Sequence, residues 1–198
     1  MKRIAILLTA LALVATGCNK GQKFTLAGSL ETARFNVATD SLLLQSDGLP
    51  TIQSIQVNDG QFSYAGKVEK PAAATLKGIG RTMVTKYVVL EKGEITFQDG
   101  FPCGTPLNDA YGELLRSLQA VAKEHPGDAE AVYAAALPIL RTYISDHAKD
   151  ASAVVALMSA RRFTKPEALA ELIAMTSPEV QNDGNIHWIK KQLKKQLK

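Results

Sequence analysis

Two cysteines and three histidines are the side chains of this 198-residue chain from which nucleophilic, redox or metal chemistry could be built. Cys103 stands in Phe101-Pro102-Cys103-Gly104-Thr105, just ahead of a segment that starts like a helix. The amide-rich end of a helix carries partial positive charge and favours a thiolate beside it. Cys103 is therefore the candidate reactive thiol, suited to forming a mixed disulfide with a partner; the plainer reading is a small hydrophobe filling a hinge. His125, His147 and His187 are isolated, with no second ligand one helical turn away and no H-x-x-x-H or C-x-x-C spacing. Neither a metal nor a cofactor is expected from such a pattern. Gly78-Ile79-Gly80 lacks the third glycine and the following helix of a phosphate loop. Lys77, Arg81 and Lys86 nearby read as a solvated edge, with an anion-binding patch as the sharper reading. No nucleophile elbow is present, so no enzyme activity is expected.

Cys18 belongs to a different chemistry. Lys2 and Arg3 precede an apolar run, Ile4 to Val14, that is too short to span a bilayer. Val14-Ala15-Thr16-Gly17-Cys18 then resembles a bacterial lipobox, with Ala15 where Leu is commoner. The expectation is a signal peptide over residues 1–18, lipidation of Cys18, and a tether over residues 19–23. Several acyl chains on one cysteine make an effectively permanent anchor. Asn19 in place of Asp leans towards the outer membrane, and Lys20-Gly21-Gln22-Lys23 lacks an acidic surface-export cluster. The expected location is the cell envelope, lipid-anchored and facing the periplasm. With Cys18 acylated, Cys103 has no partner for an intramolecular disulfide.

The last stretch, IHWIKKQLKKQLK, concentrates charge. Ile186, Ile189, Leu193 and Leu197 fall on one helical face, and Lys190, Lys191, Lys194, Lys195 and Lys198 on the other. With Trp188 beside them, these lysines are candidates for contact with anionic lipid head groups. A terminal helix with solvated lysines is the plainer alternative.

The elements that must position these residues divide the chain in two. From Phe24 to Phe97, short alternating runs are separated by turn residues: Phe24–Leu26, Ser41–Leu44, Ile52–Val57, Gln61–Val68, Ala73–Leu76, Val84–Leu90 and Ile95–Phe97. Asn58-Asp59-Gly60 between two alternating runs is a hairpin signal, because these residues tolerate the positive φ of a tight turn. About seven such strands predict an antiparallel sandwich or barrel over residues 24–100. Residues 101–105 read as a hinge and 106–198 as helices. Thr105 and Pro106 suit a helix start, followed by Leu107, Tyr111, Leu114, Leu118 and Val121 on one face. Asp128, Asp150 or Ser152, Lys165-Pro166 and Ser177-Pro178 start further helices, and Pro138 should kink or split the second one. The expected fold is α+β: a β-sandwich or barrel-like domain followed by a helical bundle segment.

Three stretches of the β half, taken in order, carry a resemblance: Phe24-Thr25-Leu26-Ala27-Gly28; Asn58 to Val68 with Pro71; and Leu90-Glu91-Lys92-Gly93-Glu94-Ile95-Thr96. They are followed by Gly104-Thr105-Pro106-Leu107-Asn108-Asp109. Together they resemble the N-terminal β-rich module (domain of unknown function 4369) of Bacteroidetes-type thiol–disulfide interchange lipoproteins. In that family the module precedes helices and then a thioredoxin-like domain with a C-x-x-C site. This sequence stops at Lys198, about where that domain would begin, so no catalytic residue of the family has a counterpart here.

Composition narrows the rest. Hydrophobic residues make up 46%, charged residues 21% and aromatic residues 6% of the chain, which is ordinary for a globular protein and poor for a base-stacking surface. The net charge of +4 falls to +2 without Lys2 and Arg3, so no nucleic-acid partner is expected. The expected role is a non-catalytic docking module with an envelope protein partner, which the resemblance implies to be thioredoxin-like; the alternatives are a Cys103-dependent thiol exchange or a shortened relic of a redox lipoprotein.

Overall fold

The computed structural model describes residues 21–36, 38–80 and 83–197. Cys18, and with it the expected lipid anchor, lies outside the described residues, as does Arg81. Among the described residues there are eight strands and six helices. The strands are β1 (Gln22–Ser29), β2 (Ser41–Ser46), β3 (Gln53–Asn58), β4 (Gln61–Val68), β5 (Ala72–Ile79), β6 (Met83–Leu90), β7 (Gly93–Gln98) and β8 (Phe101–Cys103). The helices are α1 (Pro106–Glu124), α2 (Ala129–Asp146), α3 (Ala151–Ala160), α4 (Pro166–Ala174), α5 (Pro178–Gln181) and α6 (Gly184–Gln196). The fold is α+β, and no helix among these residues is long and apolar enough to cross a membrane.

The strands form one nearly closed, barrel-like sheet in the order β6-β5-β2-β3-β4-β1-β7-β8. The β3–β4 hairpin turns at Asp59 (φ 50°) and Gly60 (φ 74°), the positive-φ pair that a two-residue turn demands. Every pairing is antiparallel except β1 with β7, which run parallel with Phe24 opposite Gly93. The wholly antiparallel expectation is corrected there. Bringing β7 beside β1 joins the two ends of the β half and lets the sheet curl.

Residues 101–103 form a strand where a hinge was expected. Asp99 (φ 53°) and Gly100 (φ 85°) make a second tight turn, and β8 pairs with β7 through Thr96–Cys103 and Gln98–Phe101. Pro102 is tolerated because β8 is the last strand of the sheet and needs no donor on its outer side.

The inside of the barrel is filled by Phe24, Leu26, Leu42, Leu44, Phe62, Leu76, Val88, Leu90, Ile95 and Phe97, all buried. Alternation explains this, since residues two apart share a face. On β5 and β6 the other face is also covered. Ala73 and Val89 belong to the core shared with the helices, and Tyr87 packs against it. Residues 30–35 seal part of the barrel. Leu30 N–H donates to Gly60 O, Gly100 N–H donates to Thr32 O, and Phe35 meets Phe62 edge-on.

α3 is the hub of the helical half. Eight of its residues are buried, and it touches β5, β6 and helices on either side. Its apolar residues run all round rather than along a stripe, as burial on every side requires. α2 runs unbroken through Pro138, against the expected split. Pro138 and Ala134, whose carbonyl loses its partner, are both exposed, so water can replace the missing hydrogen bond.

Candidate functional site

The junction between barrel and helices is the first place where candidate residues meet. β6 is an edge strand, and its Val89 presents N–H and C=O outward. Asn108 on α1 answers both: Val89 N–H donates to Asn108 Oδ1 at 3.0 Å, and Asn108 Nδ2 donates to Val89 O at 2.7 Å. Its amide thus substitutes for a neighbouring strand on an otherwise open edge.

Glu91, buried in the β6–β7 turn, lies beside it. Its Oε1 accepts from Thr105 Oγ1 at 2.7 Å, Leu107 N–H at 2.8 Å and Asn108 N–H at 3.3 Å. Thr105 was expected to cap α1 with its own hydroxyl. It occupies the N-cap position, but its hydroxyl donates to Glu91, and Glu91 does the capping from another element. A carboxylate suits this place, where partial positive charge collects.

This arrangement bears on Cys103. The thiol is half-buried on β8, with Thr96 Oγ1 at 3.3 Å from Sγ. The first amides of α1 point to Glu91, and Gly104 N–H donates to Asp109 Oδ1 at 2.8 Å. The helix end that the sequence placed at the disposal of Cys103 is already occupied.

The histidines stay apart. His125 and His147 are the C-caps of α1 and α2, and His187 is exposed on α6. His147 Nδ1 lies 3.1 Å from Asp150 Oδ2, and its ring packs on Tyr143 at 4.4 Å between centroids. No cluster of metal-ligating side chains exists among the described residues. Lys77 and Lys86 do not form a patch either. Lys86 sits opposite Leu76 in the β5–β6 ladder and so shares the barrel-side face, whereas Lys77 sits opposite Thr85 on the outer face. Lys86 Nζ donates to Gly100 O at 3.3 Å, across the seam between the two end strands. Burial holds its pKa below the usual lysine value, with the Arg34 and Arg162 cations adding to the effect.

Two concave surfaces involve the helical half. A cleft of about 880 Å³ opens between the barrel loops around Gly48 and Lys70 and the helix ends at Asp150 and Val180. Lys70 pairs with Glu179 across it, and Gly184 N–H donates to Asp47 Oδ2 at 3.2 Å, tying the β2–β3 turn to the start of α6. Asp183, the N-cap of α6, holds Asn185 N–H at 2.8 Å. Burial raises the pKa of Asp183 above the ordinary carboxylate value, and the nearby Asp47 charge pushes the same way. Gly21, the first described residue, is in the wall of this cleft.

The second surface is a groove of about 780 Å³ between α4 and α6. Ala170, Ile173, Ala174, Leu193 and Leu197 line its apolar part, and Lys190, Lys191, Lys194 and Lys195 line the rest. The four lysines named from sequence therefore do come together at one surface. Ile186, Ile189 and Leu193 are buried in the core, while Leu197 is 48% exposed. Trp188 is 44% exposed, with the Arg161 guanidinium 4.4 Å over its ring. α4 was legible as a helix but not as the other wall of this groove, because nothing local in the sequence pairs it with α6. No protein-family model, curated protein or solved structure matches the chain.

Proposed function

We propose that the chain is a lipid-anchored envelope protein, held by Cys18 and facing the periplasm, whose barrel and small helical bundle form a non-catalytic docking unit for an envelope protein partner. The observation that carries this reading is the cleft between barrel and helices with Gly21 in its wall. Cys18 stands three residues earlier, so chain length alone keeps its Cα within about 11 Å of that of Gly21. A partner lodged there would be held at the membrane surface. The resemblance of Phe24 to Asp109 to the β-rich module of redox lipoproteins makes a thioredoxin-like envelope protein the natural class of partner.

The cleft suits docking better than chemistry. Its walls carry charges of both signs: Lys70 and Glu179 pair across the gap, and Asp47, Asp150 and Asp183 accept from amides at helix starts. Mixed charge of this kind steers and orients a protein surface. The competing reading, thiol exchange at Cys103, has only the Thr96 hydroxyl beside the sulfur to draw on.

The test uses protein made in its native envelope. Mass spectrometry of the membrane-extracted chain should find a mature N-terminus at Cys18 bearing acyl groups; a soluble form cleaved elsewhere would remove the anchor. For docking, a photo-crosslinking residue at Lys149 in the cleft wall should capture one recurring envelope protein in intact cells, and the same residue at Asp59 on the β3–β4 turn should not. Capture that is equal from both positions, or absent from both, would sink the docking reading.

A further inference from the structure

The surface between α4 and α6 has a composition that the docking reading does not use. Four of its lining residues are lysines and none is a carboxylate, and α6 itself contains no acidic residue. Among the described residues, none of the four lysines is in an ion pair; Lys190 reaches Gln181 O and Oε1 at 3.3 and 3.2 Å. Lys191, Lys194 and Lys195 are exposed. The helix macrodipole accounts for Lys194 and Lys195, which sit in the last turn of α6, but not for Lys190 and Lys191 in its middle. Beside this charge lies uncovered apolar surface: Leu197 at 48% exposure and the exposed Ala174 at the end of α4.

We propose that this groove is a seat for anionic phospholipid at the membrane surface, with the head-group phosphate among Lys190, Lys191, Lys194 and Lys195 and the acyl region against Leu197 and the α4 wall. Charge complementarity selects an anion, and the neighbouring apolar floor selects an amphiphile. Lysine rather than arginine selects a charged lipid surface over a protein. Protein interfaces are depleted of lysine and enriched in arginine, whose planar fork matches single carboxylates. Membrane-surface helices combine lysine with exposed apolar residues in the way seen here. The groove also lies close to the chain start. Val180 and Asn182 face the cleft that contains Gly21, and Gln181 between them faces the groove. The seat thus extends the anchored reading as a second contact that orients the molecule on the bilayer, although the lipid on Cys18 is not needed to detect it.

Trp188 is the only tryptophan in the chain; it lies outside the groove lining, against Arg161, but three residues before Lys191 on the same helix, so its fluorescence reports on the approach of α6 to a membrane. Chain carrying Cys18→Ser, and so no acyl group of its own, is mixed with vesicles of phosphatidylcholine, or of an equal mixture of phosphatidylglycerol and phosphatidylcholine, with brominated acyl chains as quencher. Quenching of Trp188 by the anionic vesicles only is expected, weakening as salt is raised. The triple variant Lys191→Gln, Lys194→Gln, Lys195→Gln should need about a hundredfold more lipid for the same quenching. Its thermal melt should match the parent, because all three side chains are exposed. Equal quenching by neutral and anionic vesicles would overturn the proposal, as would a triple variant that responds like the parent. Lysine-dependent capture of an acidic protein without any response to anionic vesicles would overturn it too, by assigning the surface to a protein partner. The mass of the mature N-terminus tests the anchor separately, so failure of one reading is not mistaken for failure of the other.

Discussion

Tyr111 shows how tightly single side chains are held where barrel and helices meet. It is 1% exposed, and its hydroxyl lies 2.6 Å from Ser159 Oγ on α3. Burial pushes its phenol pKa well above the ordinary value, so it stays neutral and serves only as a hydrogen-bond partner. Tyr111→Phe should lower unfolding stability by about 1–3 kcal/mol, because it leaves the buried Ser159 hydroxyl without a partner; urea titration measures this. Asp183 predicts a dependence on pH. Its folded pKa is raised above 3.8 by burial and by Asp47. The native state therefore binds more protons than the unfolded state just above that value. The stability linked to this carboxyl is complete below 3.8 and is lost as pH rises through the folded pKa. Asp183→Asn keeps a good N-cap and removes the charge. It should be more stable than the parent at neutral pH, with the advantage disappearing on acidification. An advantage that persists unchanged at the acid end of a pH series of thermal melts would contradict this account.

At the scale of elements, the fold depends on how α1 meets the sheet. Asn108→Ala should cost about 2–4 kcal/mol, since it strands both polar groups of the buried Val89 backbone; hydrogen exchange at the Val89 amide should rise with it. Gly112 controls the approach of α1 to β8. A Cβ there would lie 2.5 Å from Pro102 O, a backbone atom that cannot swing aside. Gly112→Ala gains about 1 kcal/mol of helix propensity but overpacks a fixed contact, which typically costs about 1–3 kcal/mol. The net expectation is a loss of up to about 2 kcal/mol in chemical denaturation, despite the better helix former. The β3–β4 hairpin was legible because its turn chemistry is local. β8 follows Asp99-Gly100, the same turn dipeptide, yet residues 101–105 read as a hinge, because a three-residue strand shows too little alternation to be recognised.

At the scale of the whole molecule, the cleft and the groove differ in charge: the cleft carries both signs and the groove only one. Only the groove should be sensitive to salt over the whole of its binding energy. Cys103 belongs to neither surface, and no wall of cleft or groove includes it. Cys103→Ser should therefore leave partner capture from Lys149 unchanged in the cellular crosslinking experiment. In thiol trapping, the parent should show no reducible partner band; a band that needs Cys103 would return the protein to a disulfide-exchange role.

Sequence by itself determined the two halves, seven of the eight strand runs, the tight Asp59-Gly60 turn, and the helix starts at Asp128 and Ser177, and it narrowed the start of α3 to Asp150 or Ser152. Each depends on residues within a few positions of one another, where backbone preference and hydrophobic period act directly. It also marked the lysines of α6 as a charged face. Tertiary structure alone decided the parallel β1–β7 pair, the use of Glu91 as the cap of α1, and the pairing of α4 with α6 into one groove. These join residues far apart in the chain, and their energies come from burial and from satisfying stranded polar groups, which no local pattern records. The fate of Cys103 turned on such a contact: the helix end was readable from the sequence, but the carboxylate that occupies it was not.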